Sequence, residues 1–303
     1  MSYFSIKMPQ EMPTEKNKIP MRIRMFINWD NPESAKKNIE TEFNLLAIPG
    51  YNETFVLTSG EDYTHAIIIN TYMPYLNPAI PKKNVVGLAW EPNPLLRIEP
   101  HFIMYCVHHM NRYLLGNKAN LPQPFEENYA FLNRNPMQEN IPVKTNRCSI
   151  IFSNKGFMEG HKYRRAIVEA ILKTDLPIDI WGLGCQSLQI SDPRIKGKFL
   201  QNSVIPYETY EFHICIENVQ IDHYFSEKIV NALLSECTPI YLGSPKIESY
   251  FPEQVILLTG NVRKDMDIIR NCIENPEMYK KQINRELANK KTNPFYNLEY
   301  LFE

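Results

Sequence analysis

Between Phe212 and Gly243 the sequence reads FHICIENVQIDHYFSEKIVNALLSECTPIYLG, and five side chains in its middle suit a charged, hydroxyl-rich ligand: Glu217, Asn218, Tyr224, Glu227 and Lys228. A helix starting near Ser226 would turn free N–H groups and a positive dipole end toward the preceding loop, and Lys228 would add a full charge in its first turn. Such a site fits a phosphate. Asn218 can donate and accept, Tyr224 offers a flat ring with a hydroxyl, and Glu217 and Glu227 can accept from sugar hydroxyls. Together they suit a sugar nucleotide. The plainer alternative is a solvated Glu-Lys helix start.

The surrounding elements must hold these groups together. Phe212, Ile214 and Ile216 alternate with His213 and Cys215 at the period of a strand, whereas Ile229, Leu233 and Cys237 recur at helical spacing. Thr238 to Leu242 is a second β-rich run. The polar residues therefore sit at the carboxyl end of a strand and the start of a helix, where α/β sheets bind ligands.

The whole stretch resembles the donor-binding signature of the inverting α-1,3-fucosyltransferases, in the blocks Glu217-Asn218, Tyr224-Phe225-Ser226-Glu227-Lys228, Asn231-Ala232-Leu233 and Pro239-Ile240-Tyr241-Leu242-Gly243. Ser226 stands for the family's usual Thr, Ile216 for its Phe and Leu242 for its Trp. Two further blocks carry the resemblance. In Leu88-Ala89-Trp90-Glu91-Pro92-Asn93-Pro94, Glu91 takes the position of the base that activates the acceptor, although a Glu before a Pro can also simply end a strand. In Ser153-Asn154-Lys155 followed by Tyr163-Arg164-Arg165-Ala166, Asn154 lies at a strand end and Arg164 aligns with an Arg that reaches the donor diphosphate. Arg suits that task by its bidentate geometry. His108-His109 departs from an Arg-x-Asp-Ser-Asp segment of the family and reads as a polar loop after an apolar strand.

The resemblance implies an α/β protein of GT-B type, with two Rossmann-like domains facing each other across a cleft. It also implies inverting transfer of fucose from GDP-fucose to an oligosaccharide or glycoconjugate hydroxyl. GDP-sugar is then a substrate, and no cofactor or metal is required. Two other readings stay open: the same fold using another GDP- or UDP-hexose, and a catalytically silent protein that binds a nucleotide sugar or glycan.

Length and composition set bounds. At 303 residues the chain fits two domains, taken as 1–140 for the acceptor and 141–303 for the donor, with a final helix packing back on the first. Lys and Arg (33) balance Asp and Glu (34), so nothing points to nucleic acid. Six scattered cysteines without CxxC spacing read as buried thiols in a reducing compartment, with no zinc site. The N-terminal stretch lacks an apolar h-region, and no run is long enough for a membrane span. The expectation is a soluble protein in the cytoplasm of a bacterium or a virus-infected cell.

Along the chain, residues 1 to about 20 read as an irregular arm. RIRMFINW from Arg22 reads as a first strand ending at Trp29 and Asp30, with Ser34 capping a helix through Leu46. Residues 54–58, 65–70 and 85–90 follow as buried strands, and 133–147 is the linker by composition. The second half reads as strands at 148–153, 178–182 and 255–258 and helices at 161–173, at 262–274 and after Pro276. Gly182-Leu183-Gly184 reads as a plain turn, and Asp265-Met266-Asp267 as the solvated face of a helix.

Overall fold

The computed structural model describes residues 20–200 and 203–303, so the expected N-terminal arm lies outside the described residues. Two six-stranded sheets organise the chain, and every pairing within them is parallel. The first holds β1 (Met21–Phe26), β2 (Phe55–Leu57), β3 (His65–Ile69), β4 (Val85–Leu88), β5 (Arg112–Leu115) and β6 (Phe125–Glu127), in the order β2-β1-β3-β4-β5-β6. The second holds β7 (Asn146–Ile151), β8 (Ile178–Trp181), β9 (Ile195–Gly197), β10 (Tyr210–Ile216), β11 (Thr238–Leu242) and β12 (Ile256–Leu257), in the order β12-β11-β10-β7-β8-β9. That second order is the dinucleotide-binding one, and the first is flavodoxin-like. Strands buried on both faces need nearly continuous apolar runs; Ala66–Ile69 supplies one, and Phe212–Ile216 supplies another that only the buried His213 interrupts.

Helices cover the sheets. In the first half they are α1 (Pro32–Glu42), α2 (Asn93–Leu96) and α3 (Pro100–His109). In the second they are α4 (Glu159–Ile171), α5 (Ile205–Glu208), α6 (Glu227–Leu234), α7 (Ile247–Tyr250) and α8 (Val262–Glu274), followed by α9 (Pro276–Tyr279), α10 (Arg285–Thr292) and α11 (Leu298–Phe302). The cap of α1 is Asn31, whose side chain accepts from the Ser34 N–H, and the helix ends four residues short of Leu46. Pro32 fits the first turn because its missing N–H has no helical partner there. His108 and His109 occupy the last turn of α3 and not a loop, because the apolar run before them packs Phe102 and Cys106 at helical spacing.

The segment joining the sheets is polar by composition yet well anchored. Arg134 is 1% exposed. It donates to Thr292 Oγ1 (2.9 Å) and Asn289 Oδ1 (2.5 Å) on α10 and lies over the Phe43 ring, while the Asn135 N–H donates to Asn231 Oδ1 of α6 (2.8 Å). Burial pushes the Arg134 guanidinium down to about 10. The last turns of the chain lie against the first sheet: Phe295 stacks on Phe55 (5.9 Å), Phe302 meets His65 edge-on (4.7 Å), and Arg112 packs over Tyr300 (4.7 Å). All six cysteines are buried thiols. No helix among the described residues is long and apolar enough to cross a membrane.

Candidate active site

In an open parallel sheet the ligand crevice forms where strand order reverses, because flanking loops leave in opposite directions there. The second sheet reverses between β7 and β10. Ser153 and Asn154 leave the end of β7, and Glu217 and Asn218 leave the end of β10, so two of the sequence blocks meet at one crevice. Helix α4 starts against it. An added Cβ at Gly160 would come 1.8 Å from the Glu217 carbonyl oxygen, so only glycine admits this approach, and the Gly160 N–H donates to the Asn218 carbonyl (3.0 Å).

The expected loop charges are present, but most are already paired. Ser226 caps α6, its hydroxyl accepting from the Lys228 N–H (3.4 Å). Lys228 donates to Glu227 Oε1 (2.9 Å) and Ser226 Oγ (3.0 Å) and lies 3.8 Å from Glu217 Oε2. Burial alone would lower its ammonium, but the charges of Glu227 and then Glu217 outweigh that and hold it above the ordinary range. For Glu227 burial opposes ionisation too, and the charge and hydrogen bonds of Lys228 win, so its carboxyl is lowered.

Three residues differ from what their types suggest. Glu217 is 2% exposed and accepts from the Ser226 N–H (2.8 Å) and hydroxyl (2.7 Å), so it clamps the loop to the helix start instead of facing a sugar. Burial raises its carboxyl. Tyr224 is 4% exposed and does not present an open ring face. Its backbone packs on Gly116 at the end of β5, and Glu217, Glu227 and Glu91 all act on its buried phenol, which burial pushes up. Arg164, 4% exposed, donates to the Ile216 carbonyl and to Asn218 Oδ1 (3.3 Å), bracing the strand end from which Asn218 projects. Asn154 is exposed at the crevice mouth, and Asn218 and Glu227 are partly accessible.

Glu91 belongs to the other sheet. It lies three residues beyond β4 and just before α2, and its N–H donates to Asn70 Oδ1 (3.1 Å). Asn70, at the end of β3, takes a left-handed conformation (φ 54°) that Asn tolerates better than most residues, and its carbonyl accepts from the Tyr113 hydroxyl (3.1 Å). Glu91 remains solvent-accessible. Desolvation raises its carboxyl, opposed by Lys155 and Lys228 and reinforced by Glu227, all three from the second half. The carboxylate therefore shares one electrostatic environment with Lys155, Glu227 and Lys228 of the second half. Where the halves touch, the His223 N–H donates to the Gly116 carbonyl (3.1 Å), and His223 Nδ1 pairs with the Tyr250 hydroxyl (2.7 Å).

Sequence pattern does not single out Asn70 or His161. His161, in the first turn of α4, accepts from the Met158 N–H at Nδ1 (3.3 Å), leaving its buried Nε2 without a partner. Burial, then the charges of Arg164 and Lys155, push it down to about 4, so the ring is neutral near pH 7. A polar residue directly after a close-packed glycine is the one sequence signal it carries.

Asp265 also departs from expectation. It is 0% exposed and accepts from the Thr259 N–H (2.8 Å), the Thr259 hydroxyl (2.7 Å) and the Gly260 N–H (2.9 Å), as well as the Tyr163 hydroxyl. Those donors hold it inward, off the solvated face. Gly182 (φ 111°) and Gly184 are more than a plain turn, since an added Cβ at either would strike the backbone at Phe152 or Ser153. Among the described residues no three His, Cys, Asp or Glu side chains gather as a metal site.

Residues 141–281 match the model of the glycosyltransferase family 10 (fucosyltransferase) C-terminal region. This region belongs to family 10. A putative fucosyltransferase of Acanthamoeba polyphaga mimivirus is 26% identical over 133 residues, 42% of this chain and 22% of the relative. An alpha-(1,3)-fucosyltransferase B of Drosophila melanogaster is 28% identical over 133 residues, 42% of this chain and 27% of that one. The match thus spans about a quarter of the length of these curated relatives. The fold is shared over nearly the whole chain. The crystal structure of an alpha1,3-fucosyltransferase with GDP-fucose superposes with a TM-score of 0.55 at 17% identity, covering 97% of this chain and 94% of that one. Anabaena HepE with UDP and glucose gives 0.56 at 10% identity, covering 92% and 98%. The two facing Rossmann-like domains are the GT-B architecture, with the family 10 region around the second sheet.

Proposed function

We propose that the protein is an inverting α-1,3-fucosyltransferase that moves fucose from GDP-fucose to a glycan hydroxyl. The observation that carries this reading is the convergence of two strand-end sites, the family 10 donor loop with Lys228 and Arg164 on one side and Glu91 on the other. The acceptor oxygen attacks the anomeric carbon from the face opposite GDP, and its proton passes to Glu91. The bond from that carbon to the β-phosphate oxygen breaks, and GDP leaves with the electron pair. Glu91 suits a base because desolvation raises its carboxyl toward the working range. Lys228, the N-terminal ends of α4 and α6 and, after a small shift, Arg164 oppose the charge that develops on the diphosphate. Asn154 and Asn218 border the nucleotide at the crevice mouth, and Tyr224, Glu217 and Glu227 hold the loop that grips it.

With two cationic side chains and two helix ends at the diphosphate, transfer needs no divalent metal in this account. The test is release of free sugar from GDP-fucose, GDP-mannose, UDP-glucose and UDP-galactose without acceptor, each with and without excess EDTA. The account expects GDP-fucose to be preferred and EDTA to leave the rate within about twofold. Preference for another nucleotide sugar would reassign the donor, a silent panel would mark a binding protein, and metal-restored activity would mean that the diphosphate is held differently.

A further inference from the structure

The crevice between β7 and β10 holds one buried polar atom with no place in the reaction above. It is Nε2 of His161, which lies in the first turn of α4, is 2% exposed and has no hydrogen-bond partner at that nitrogen. Because Nδ1 accepts from the Met158 N–H (3.3 Å), the proton of the neutral ring sits on Nε2, which makes this atom a donor without an acceptor. A buried donor left in that state is costly and calls for a reason. We propose that His161 is a positioning residue for the diphosphate: when a nucleoside diphosphate draws Arg164 away from Asn218, the His161 Nε2–H takes over the Asn218 side-chain oxygen. The inference rests on the reading of the crevice as a nucleotide-sugar site.

The geometry places the three groups of this exchange together. Asn218 acts on the His161 ring as an acceptor, and the start of α4 is fixed against it. The Gly160 N–H donates to the Asn218 carbonyl (3.0 Å), and an added Cβ on Gly160 would come 2.8 Å from that same carbonyl group. In the free protein Asn218 Oδ1 accepts from Arg164 Nη2 at 3.3 Å, which is long for such a bond. The same nitrogen also donates to the Ile216 carbonyl, so one atom serves two acceptors. Arg164 must loosen this grip to reach a diphosphate, and Asn218 Oδ1 then needs another donor. His161 has one to give.

The exchange favours binding because it pairs a donor that was unpaired before: Arg164 gains phosphate oxygens, and the His161 N–H gains Asn218. A neutral ring suits the task. Burial, then Arg164, Lys155 and Lys228, push it down to about 4, so near pH 7 it adds no further positive charge beside those three cations. Phe157 meets the ring edge-on (4.8 Å, 80°) and limits its rotation.

Two substitutions separate the nitrogens of the ring. His161→Asn keeps an acceptor near the Nδ1 position for the Met158 N–H and lacks the outer donor, whereas His161→Gln gives up that acceptor and carries an amide N–H out to the Nε2 position. GDP is titrated by calorimetry at a temperature where each variant is folded, with melting temperatures measured alongside. His161→Asn should weaken GDP about three- to tenfold, the worth of one neutral hydrogen bond, at unchanged melting temperature. His161→Gln should bind GDP within about twofold of wild type even where its melting temperature falls. A purely structural His161 predicts the reverse order. With Asn218→Ala already in place, His161→Asn should cause no further loss, because the contact it removes is gone. In the wild-type protein with 15N-labelled histidines, the Nε2–H resonance of His161 should move downfield as GDP is added. The proposal is overturned by wild-type GDP affinity in His161→Asn, by the reverse order of the two variants, by an undiminished further loss beside Asn218→Ala, or by a resonance that saturating GDP leaves in place. A wild-type protein that does not bind GDP would reject the nucleotide reading of the crevice and the exchange with it, whereas GDP binding indifferent to His161 would reject the exchange alone.

Discussion

The two strand-end sites that face each other are built in opposite ways. On the second sheet, Glu217, Ser226, Lys228 and Arg164 are buried or nearly so and hydrogen-bonded to one another or to the strand end before any ligand arrives. On the first sheet, Glu91 and Trp29 are open to solvent, and the Glu91 N–H donates to Asn70 at the end of a neighbouring strand. A diphosphate needs fixed, preorganised charge, because buried donors must not reorganise as the leaving group charges up. An acceptor sugar needs a shape and a base. In the proposed reaction, the rigid half would recognise the nucleotide and the open half would supply the base and the acceptor contacts.

The largest way to break this contrast is to unclamp the rigid half. Glu217→Ala removes the acceptor for both Ser226 donors and one of the two acids beside Lys228, and breaking a buried pair of this kind costs about 3 to 5 kcal/mol. The urea midpoint should fall accordingly and GDP binding should be lost with it. A variant of wild-type stability would mean that the clamp is ornamental.

A smaller effect is expected from Lys228→Ala. Here GDP affinity should drop by at least about tenfold, since a charge-assisted contact is worth about 1.5 to 3 kcal/mol. Calorimetric titration at a temperature where the variant stays folded makes the comparison. Unchanged affinity would move the diphosphate away from α6.

How far the sequence reveals each half follows from the same contrast. The polar loop after β10 is legible because Glu217 to Lys228 lie within twelve consecutive residues of one strand-loop-helix unit, so spacing alone brings them together. What spacing does not show is direction: Glu217 and Tyr224 look like ligand contacts by type, yet hydrogen bonds and packing turn them inward. Asp265 misleads in the same manner, since a DxD on an amphipathic helix looks solvated until the Thr259 and Gly260 donors of the preceding turn are in view. The first half depends on sheet order. Asn70, Trp29 and Glu91 leave three different strands and become neighbours only through the β1-β3-β4 pairing, which no local pattern encodes. The short strands β5, β6 and β9 are likewise set by tertiary pairing, with three or four residues each. The joining segment, polar by composition, is anchored by contacts of Arg134 with residues more than 150 positions away.

The measurement that bears most directly on the division between a binding half and a reacting half is a paired one on Glu91→Gln. The amide keeps the shape and the neighbours of the carboxylate but cannot take a proton, so turnover should fall by about 10²- to 10⁴-fold while GDP affinity stays at the wild-type value. The wild-type rate should also fall on the acid side as Glu91 protonates, starting at a higher pH than for an ordinary carboxylate because desolvation raises it, and that limb should vanish from the variant's residual activity. Turnover within a few-fold of wild type, or a loss of GDP affinity that matches the loss of rate, would contradict the account.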